Sequence, residues 1–279
     1  MKSKHYKLAL FGQPVNHSLS PAIHQQFASQ FDLSIQYYLI DVGAQHLENK
    51  VLEFFKSGGY GANVTLPYKQ QVMKYVKYNS KLAQQAQAVN TIYCDENNFL
   101  RGDNTDGIGF INDLKKRCDF DCQDKKILIL GAGGATQGIV PAILLQSPKA
   151  MTIANRTLKK AQNIAVSENS LAVTFDELNQ LDESFDLIIH SSSLGHQGKT
   201  LEFLPHHFHD QTLCYDLSYA KAALPFMEFC HSIGVQSTCD GLGMLIEQAA
   251  CAFYLWFGLQ PNTDDILRDL CITIWRKKK

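Results

Sequence analysis

The chain has 279 residues, of which 45% are hydrophobic and 19% are charged, and this composition excludes a disordered chain. Its formal net charge of −1 excludes nucleic acid and anionic membrane surfaces as main partners. The eight cysteines are scattered, with Cys118 and Cys122 the only close pair, and neither metal-ligand spacing nor a secretory signal is visible. The sequence therefore predicts a cytoplasmic α/β protein with reduced thiols and no metal site.

Strand-like and helix-like segments alternate along the first third of the chain, which predicts a parallel or mixed sheet. Strands are expected at residues 7–11, 35–41 and 62–66, and helices at 20–31 and 47–56. Loops that follow the strands are the usual position of a binding site in an open α/β sheet. Polar residues in these loops are therefore the first candidates for function.

Four such residues each have a structural interpretation beside a functional one. Ser18 and Ser20 place two hydroxyls close together, which suits a small anion, although Ser20 alone is typical of a helix N-cap. Lys69 follows a strand and a proline turn, where an isolated lysine is normally solvated surface. Asp106 lies at a predicted helix start, where an isolated aspartate normally compensates the helix dipole.

A glycine-rich turn organises the second half of the chain. Residues 127–130 form a short apolar run typical of a strand buried on both faces, and the turn Gly131–Gly134 follows at once. Glycine there lets the backbone approach a diphosphate, and the helix that follows offers free N–H groups to it. Thr136 replaces the third glycine of the strict fingerprint, so an ordinary strand-to-helix turn stays the alternative.

Basic residues follow the next predicted strand, at residues 150–154. No acidic residue stands there to hold an adenosine ribose hydroxyl. Guanidinium and ammonium groups attract a 2′-phosphate instead, so NADP is favoured over NAD, and a solvated basic helix start is the alternative. The residues of this cluster are Asn155, Arg156, Thr157, Lys159 and Lys160.

Seven motifs stand in an order and spacing that resemble the shikimate dehydrogenase family over nearly the whole chain. The first three are G-Q-P-V-N-H-S-L-S at residues 12–20, N-V-T-L-P-Y-K at 63–69 and A-V-N-T at 88–91. The others are G-D-N-T-D-G at 102–107, the glycine turn at 131–135, N-R-T at 155–157 and D-G-L-G-M-L-I-E-Q at 240–248.

The resemblance implies roles for the matching positions. Lys69 and Asp106 correspond to the catalytic pair, and a positioned proton acceptor is what hydride transfer from a secondary alcohol requires. The implied substrate-binding residues are Ser18, Ser20, Thr65, Asn90, Asp106, Tyr219 and Gln248. The implied NADP-binding residues are Gly131, Ala132, Gly133, Gly134, Ala135, Asn155, Arg156, Thr157, Lys159 and Lys160, with Leu217 and Gly241 near the nicotinamide.

The resemblance also implies two α/β domains with the active site in the cleft between them. The first is a substrate-binding and catalytic domain with a mixed, mostly parallel sheet, expected at residues 1–105 and completed by C-terminal helices within 240–279. The second is a Rossmann-type NADP-binding domain, expected at residues 106–239. The implied partners are small molecules, and the assembly is expected to be a monomer or a homodimer.

Four positions depart from the family pattern. His190 begins H-S-S-S where N-A-T-S is usual, and Lys160 replaces the second arginine of the phosphate clamp. Leu217 replaces a methionine. The sequence around Tyr219 departs most from the family pattern, so the role of Tyr219 is the least supported.

His206, His207 and His209 form a loose cluster that is expected in a solvated loop.

The sequence predicts reversible NADPH-dependent reduction of 3-dehydroshikimate to shikimate, in chorismate and aromatic amino-acid biosynthesis. The nearest alternative is a quinate/shikimate dehydrogenase with broader substrate and cofactor use. A non-catalytic module that senses a nucleotide or a shikimate-like ligand is the alternative from another class. Retention of both Lys69 and Asp106 argues against that module.

Overall fold

The computed structural model describes residues 5–201 and 204–276 as two compact units. The first unit contains the described residues up to Gly109 together with Leu245–Thr273, and the second contains the described residues of Phe110–Met244 together with 274–276. The chain passes between the units at three points, after Gly109, Met244 and Thr273, and each point lies within a helix. None of the described helices has the length and apolar character needed to cross a membrane.

Strands and helices alternate along the chain up to residue 64, as the hydrophobic pattern predicts, and two strands then follow one another directly at residues 91–103. The elements before residue 106 are β1 (His5–Gly12), α1 (Ser20–Ser29), β2 (Ser34–Asp41), α2 (Leu47–Lys56), β3 (Gly59–Val64), β4 (Tyr78–Asn79), α3 (Lys81–Ala86), β5 (Thr91–Cys94) and β6 (Leu100–Asp103).

A second series follows, in which strands and helices again alternate. It comprises α4 (Asp106–Arg117), β7 (Lys126–Leu130), α5 (Gly134–Leu144), β8 (Ala150–Ala154), α6 (Leu158–Gln162), β9 (Ser170–Val173), α7 (Phe175–Leu178), β10 (Leu187–His190), β11 (Leu213–Asp216), α8 (Leu224–Ser232), β12 (Ser237–Cys239), α9 (Leu242–Phe257) and α10 (Asp264–Arg276).

The first unit has a mixed six-stranded sheet in the order β2-β1-β3-β5-β6-β4. Its β1 runs parallel to β2 and β3, whereas β5 is antiparallel to both neighbours. One face buries Phe11, Val51 and Ile92 in an apolar core. In α9, Trp256 donates its indole N–H to the carbonyl of Ile92 at 3.2 Å, so the C-terminal helical segment packs on this sheet. The predicted mixed sheet is confirmed.

The second unit has a six-stranded, fully parallel sheet in the order β12-β11-β10-β7-β8-β9. Alternate residues of β7 enter two cores, with Ile127 and Ile129 on one face and Leu128 and Leu130 on the other. Burial of both faces explains the continuous apolar run, because crossover helices cover a parallel sheet on each side. The doubly wound, Rossmann-type topology of this unit is confirmed.

Two expectations for the second unit are wrong. The sequence pattern after β8 predicts a helix over residues 158–167, but α6 ends at Gln162, because the chain must turn before it enters β9, a strand that pairs with β8. His207 is fully buried rather than solvated, and its Nδ1 lies 2.8 Å from the carbonyl of Glu183. Burial lowers the pKa of His207, and so the ring is held neutral.

Candidate active site

Lys69 and Asp106 form a close ion pair within the first unit. Lys69 Nζ lies 2.6 Å from Asp106 Oδ2, and the side chains are 18% and 8% exposed. Lys69 is fixed by its backbone, since its carbonyl accepts the Val89 N–H at 2.7 Å. Asp106 opens α4, whose first turn favours a carboxylate. Asp106 is thus placed to compensate the helix dipole, and the same carboxylate also pairs with Lys69.

Asn90 holds the other oxygen of this carboxylate. It is 2% exposed, and its Nδ2 donates to Asp106 Oδ1 at 2.7 Å and to Thr105 Oγ1 at 2.9 Å. Its Oδ1 accepts the Thr105 N–H at 2.9 Å. Because an amide fixed at both ends cannot rotate freely, the orientation of the Asp106 carboxylate is set by the surrounding hydrogen bonds.

Gln248 joins this group from α9. Its Oε1 lies 3.4 Å from Asn90 Nδ2 and from Thr105 Oγ1, and its Nε2 donates to the carbonyl of Leu245 at 2.8 Å. A Cβ on Gly109 would come within 2.5 Å of the Gln248 backbone N. The close contact between α4 and α9 therefore requires glycine at residue 109, and it brings Gln248 to the Lys69–Asp106 pair.

The two serines of the first loop are also adjacent. Ser18 Oγ lies 3.0 Å from Ser20 Oγ and accepts the Ser20 N–H at 3.2 Å. Helix α1 has Leu19 at its N-cap, and no side chain caps it. The N-cap alternative for Ser20 is wrong, because this residue already lies in the first helical turn. Its hydroxyl is thus not committed to the helix.

Thr65 follows β3 directly and is partly exposed, with its N–H bonded to the carbonyl of Phe11 at 2.9 Å. Asn63 lies two residues before Thr65 in the same motif, and the sequence predicts no role for it. It is 6% exposed, accepts from the Tyr37 hydroxyl at 2.8 Å, and donates to Thr91 Oγ1 at 3.2 Å. Asn63 therefore fixes the strand ends that present Thr65 and Asn90.

The glycine turn of the second unit joins β7 to α5. Gly131 has φ +117°, and a Cβ there would lie 3.0 Å from the Ser191 carbonyl, so a side chain would be strained. Gly133, the N-cap of α5, would direct a Cβ into open space. The backbone at Gly133 is therefore accessible, and the free N–H groups of the first turn of α5 fit a bound diphosphate.

The basic cluster follows β8, the strand next to β7. Asn155 Oδ1 accepts the Ala132 N–H at 3.2 Å, and its Nδ2 donates to the Thr157 carbonyl at 2.9 Å, so this side chain ties the glycine turn to the cluster. Arg156 and Lys160 are exposed, as are Thr157 and Lys159. These exposed cations beside the glycine turn supply the positive charge that an additional phosphate on a dinucleotide requires.

His190, the departure at the end of β10, belongs to a buried hydrogen-bonded chain. Its Nδ1 lies 2.8 Å from Asp216 Oδ2, its Nε2 lies 2.7 Å from Ser192 Oγ, and its ring stacks on Phe226. Asp216 Oδ1 accepts the Ser218 N–H at 2.7 Å. Ser192, His190 and Asp216 are hydrogen-bonded one to the next, as the side chains of a Ser-His-Asp triad are. The His190 side chain is fully buried, however, and so cannot reach a leaving group. The hydrogen-bonded chain therefore has a structural role, and it joins the loop after β10 to the loop after β11.

Leu217 and Gly241 are brought together within the second unit. Gly241 donates its N–H to the Ser218 carbonyl at 2.8 Å and lies against the carbonyl of Leu217. Tyr219 belongs to the second unit, whereas Ser18 and Ser20 belong to the first. Burial raises the pKa of Tyr219, so its hydroxyl stays protonated.

A charged network in the second unit was not predicted. Arg117 forms a bidentate pair with Asp113, at 3.1 and 2.8 Å, and donates to Asp240 Oδ1 at 3.0 Å. Tyr215 donates to Asp113 at 2.5 Å. Burial alone would lower the pKa of Arg117, but the Asp113 carboxylate outweighs it and raises that pKa. This network fixes Asp240, the residue that precedes Gly241.

Comparison with known proteins places this geometry in a family. Three sequence models match, described as the shikimate dehydrogenase substrate binding domain at residues 10–92, shikimate / quinate 5-dehydrogenase at 113–213, and the shikimate 5'-dehydrogenase C-terminal domain at 241–270. The shikimate dehydrogenase (NADP(+)) of Aeromonas hydrophila is 40% identical over 262 residues, which cover 94% of this chain and 96% of that protein. The chain belongs to the shikimate dehydrogenase family.

Solved structures agree with this membership. The shikimate 5-dehydrogenase of Thermus thermophilus, in complex with NADP(H) and shikimate, is 28% identical with a TM-score of 0.82, covering 94% of this chain and 97% of that one. An Ael1 enzyme from Pseudomonas putida is 30% identical with a TM-score of 0.87, covering 95% and 98%. The predicted family and fold class are confirmed, and the roles of individual residues stay predictions.

Proposed function

We propose that the chain catalyses the reversible NADPH-dependent reduction of 3-dehydroshikimate to shikimate, and so serves chorismate and aromatic amino-acid biosynthesis. The observation that carries the proposal is the Lys69–Asp106 pair, joined at 2.6 Å and surrounded by Asn90 and Gln248. A catalytic pair held by several hydrogen bonds argues against the alternative of a non-catalytic sensing module. We also propose that the protein works in the cytoplasm as a monomer or a homodimer.

NADPH supplies the hydride when it is bound. Lys69 donates a proton to the carbonyl oxygen as negative charge develops there, and in the reverse direction it accepts the proton of the alcohol. Asp106 Oδ2 accepts from Lys69 and keeps its ammonium oriented, while Oδ1 is held by Asn90. Since the carboxylate retains free lone pairs, Asp106 also accepts a hydrogen bond from a ring hydroxyl of the substrate.

The remaining polar side chains of the first unit bind the substrate in this proposal. Ser18 and Ser20 donate their hydroxyls to the substrate carboxylate, with Tyr219 as a further donor from the second unit. Thr65, Asn90 and Gln248 hold the ring hydroxyls. Two adjacent hydroxyls that do not cap a helix are the structural support for the carboxylate site.

In the second unit, residues 131–135 bind the diphosphate, and Asn155 to Lys160 bind the 2′-phosphate of NADP. Leu217 and Gly241 lie beside the nicotinamide. The accessible backbone at Gly133 and the exposed guanidinium of Arg156 support this assignment. Hydride transfer requires the nicotinamide and the alcohol carbon to meet, so the predicted cleft between the domains is part of the proposal.

Steady-state rates with shikimate and quinate, each with NADP+ and NAD+, test the choice of substrate and cofactor. We expect the highest kcat/KM with shikimate and NADP+. Equal or better turnover with quinate or NAD+ would favour the quinate/shikimate dehydrogenase instead.

Replacing Arg156 with alanine is expected to raise KM for NADPH by about 10–100-fold, because a charge-assisted contact to the 2′-phosphate is lost. KM for NADH, which lacks that phosphate, is expected to stay nearly unchanged. Lys149→Ala is the matched control, since Lys149 is an exposed cation at the opposite end of β8. Equal changes with both cofactors would contradict a role in phosphate binding.

A further inference from the structure

Two cysteines that are far apart in sequence lie against each other in the second unit. Cys118 follows the last turn of α4, and Cys239 ends β12. Their Sγ atoms are 2.7 Å apart, although 121 residues separate them in the chain. Sulfur atoms that close need little movement to form a bond of about 2.0 Å. The sequence drew attention to Cys118 and Cys122, but Cys122 is buried and is not the residue that meets Cys118.

The surroundings influence both thiols. The contact between the two sulfurs is the largest influence on their pKa values, burial raises both pKa values, and the Arg117 guanidinium favours the thiolate of each. Burial raises the pKa of Cys122 to about 12, so that thiol is unreactive. Because either sulfur can donate the hydrogen bond between them, the reactive thiolate belongs to the pair as a unit.

The pair is not closed off from solvent. Both cysteines are only partly buried, and β12 is an edge strand of its sheet. Cys239 directly precedes Asp240, whose carboxylate is held by Arg117, so the Cys239 sulfur lies on a fixed segment. The geometry combines a partly exposed nucleophile with a second thiol in contact with it, as in peroxide-sensitive cysteine pairs.

We propose that Cys118 and Cys239 form an oxidative modification site that a hydroperoxide converts to an intramolecular disulfide. One thiolate of the pair attacks the hydroperoxide, the O–O bond breaks, and the alkoxide takes up a proton and leaves as the alcohol (water, for hydrogen peroxide). The sulfenic acid that results is attacked by the other thiol of the pair, which loses its proton. The S–O bond breaks, and water leaves. Two thiols are oxidised by two electrons, and one hydroperoxide is reduced.

The disulfide would close a loop of about 120 residues and restrict the unfolded chain. We therefore expect the oxidised protein to unfold at a temperature about 5–10 °C higher than the reduced protein. Formation of the disulfide and the rise in unfolding temperature do not depend on the proposed enzymatic function, because they concern thiol chemistry and stability alone.

The test treats the full-length reduced protein with stoichiometric hydrogen peroxide, then alkylates the free thiols and maps non-reduced peptides by mass spectrometry. We expect a peptide that links Cys118 to Cys239, six of the eight cysteines alkylated, and reversal by dithiothreitol. In Cys118→Ser and in Cys239→Ser, dimedone is expected to trap a sulfenic acid at the remaining cysteine of the pair, and neither variant is expected to give the linked peptide. Cys94→Ser, which removes an exposed thiol elsewhere, is the control that keeps the link.

Absence of the linked peptide in the wild-type protein would overturn the proposal. A linked peptide that still formed in Cys118→Ser or Cys239→Ser would show that the link involves other cysteines and would overturn the proposal as well. An unchanged unfolding temperature after the link has formed would overturn the predicted stabilisation.

Discussion

Lys69→Ala is expected to lower kcat by about 10²–10⁴, because the variant loses the group that transfers the proton. KM for shikimate is expected to change much less, since Ser18, Ser20 and Gln248 remain. Initial rates of NADPH formation across a range of shikimate concentrations measure both constants. An unchanged kcat would show that Lys69 is not the acid–base group.

Folding of the Lys69 variant is expected to be nearly normal. Asp106 loses its cation but keeps the Asn90 donor at 2.7 Å and its favourable place in the first turn of α4. Removal of the partly exposed Lys69 side chain also admits water to this carboxylate, so the loss of stability is expected to be small. Circular dichroism and the unfolding temperature check this. Lys74→Ala is the matched control, because Lys74 is an exposed lysine in the short helical turn after Lys69 and is expected to leave kcat unchanged.

Arg117→Ala is expected to destabilise the protein by about 3 kcal/mol and to lower the unfolding temperature by roughly 6–12 °C. The substitution leaves the carboxylates of Asp113 and Asp240 without their cation, and these side chains are only 2% and 8% exposed. Loss of one partner of a buried pair is costly because the remaining charge is no longer solvated by water or by its counter-ion.

Two controls separate burial from charge in the Arg117 experiment. Lys50→Ala breaks an exposed pair with Glu53, whose side chains are 52% and 67% exposed, and is expected to change stability by less than about 1 kcal/mol. Arg117→Lys keeps the charge but loses the bidentate geometry, so an intermediate effect is expected. An Arg117→Ala variant as stable as Lys50→Ala would show that the network does not support the fold.

Much of the proposed substrate site could be predicted because its residues lie in short motifs next to strand ends. Lys69 follows β3 and Asp106 follows β6, whereas Asn90 precedes β5. Because β5 is antiparallel to β3, the start of β5 lies at the same edge of the sheet as the end of β3. Gln248 lies more than 140 residues from Thr105, and only the family resemblance connected the two. The resemblance thus supplied a contact that local patterns do not encode.

The buried polar groups could not be predicted, since each depends on packing between distant elements. Nothing near Arg117 indicates that Asp240 faces it, and nothing near Cys118 indicates Cys239. The sequence shows that His190 departs from the family pattern. Its contacts with Asp216 and Ser192 depend on the pairing of β10 with β11 and on the loop that follows β10. The early end of α6 has the same origin, because it depends on the pairing of β9 with β8.

The most direct test of the proposed function is the rate at which the purified protein reduces NADP+ in the presence of shikimate, followed by the absorbance of NADPH. We expect saturable NADPH formation that requires shikimate and that falls by at least about 10²-fold in Lys69→Ala. If the folded wild-type protein formed no NADPH from shikimate, the proposed function would be wrong.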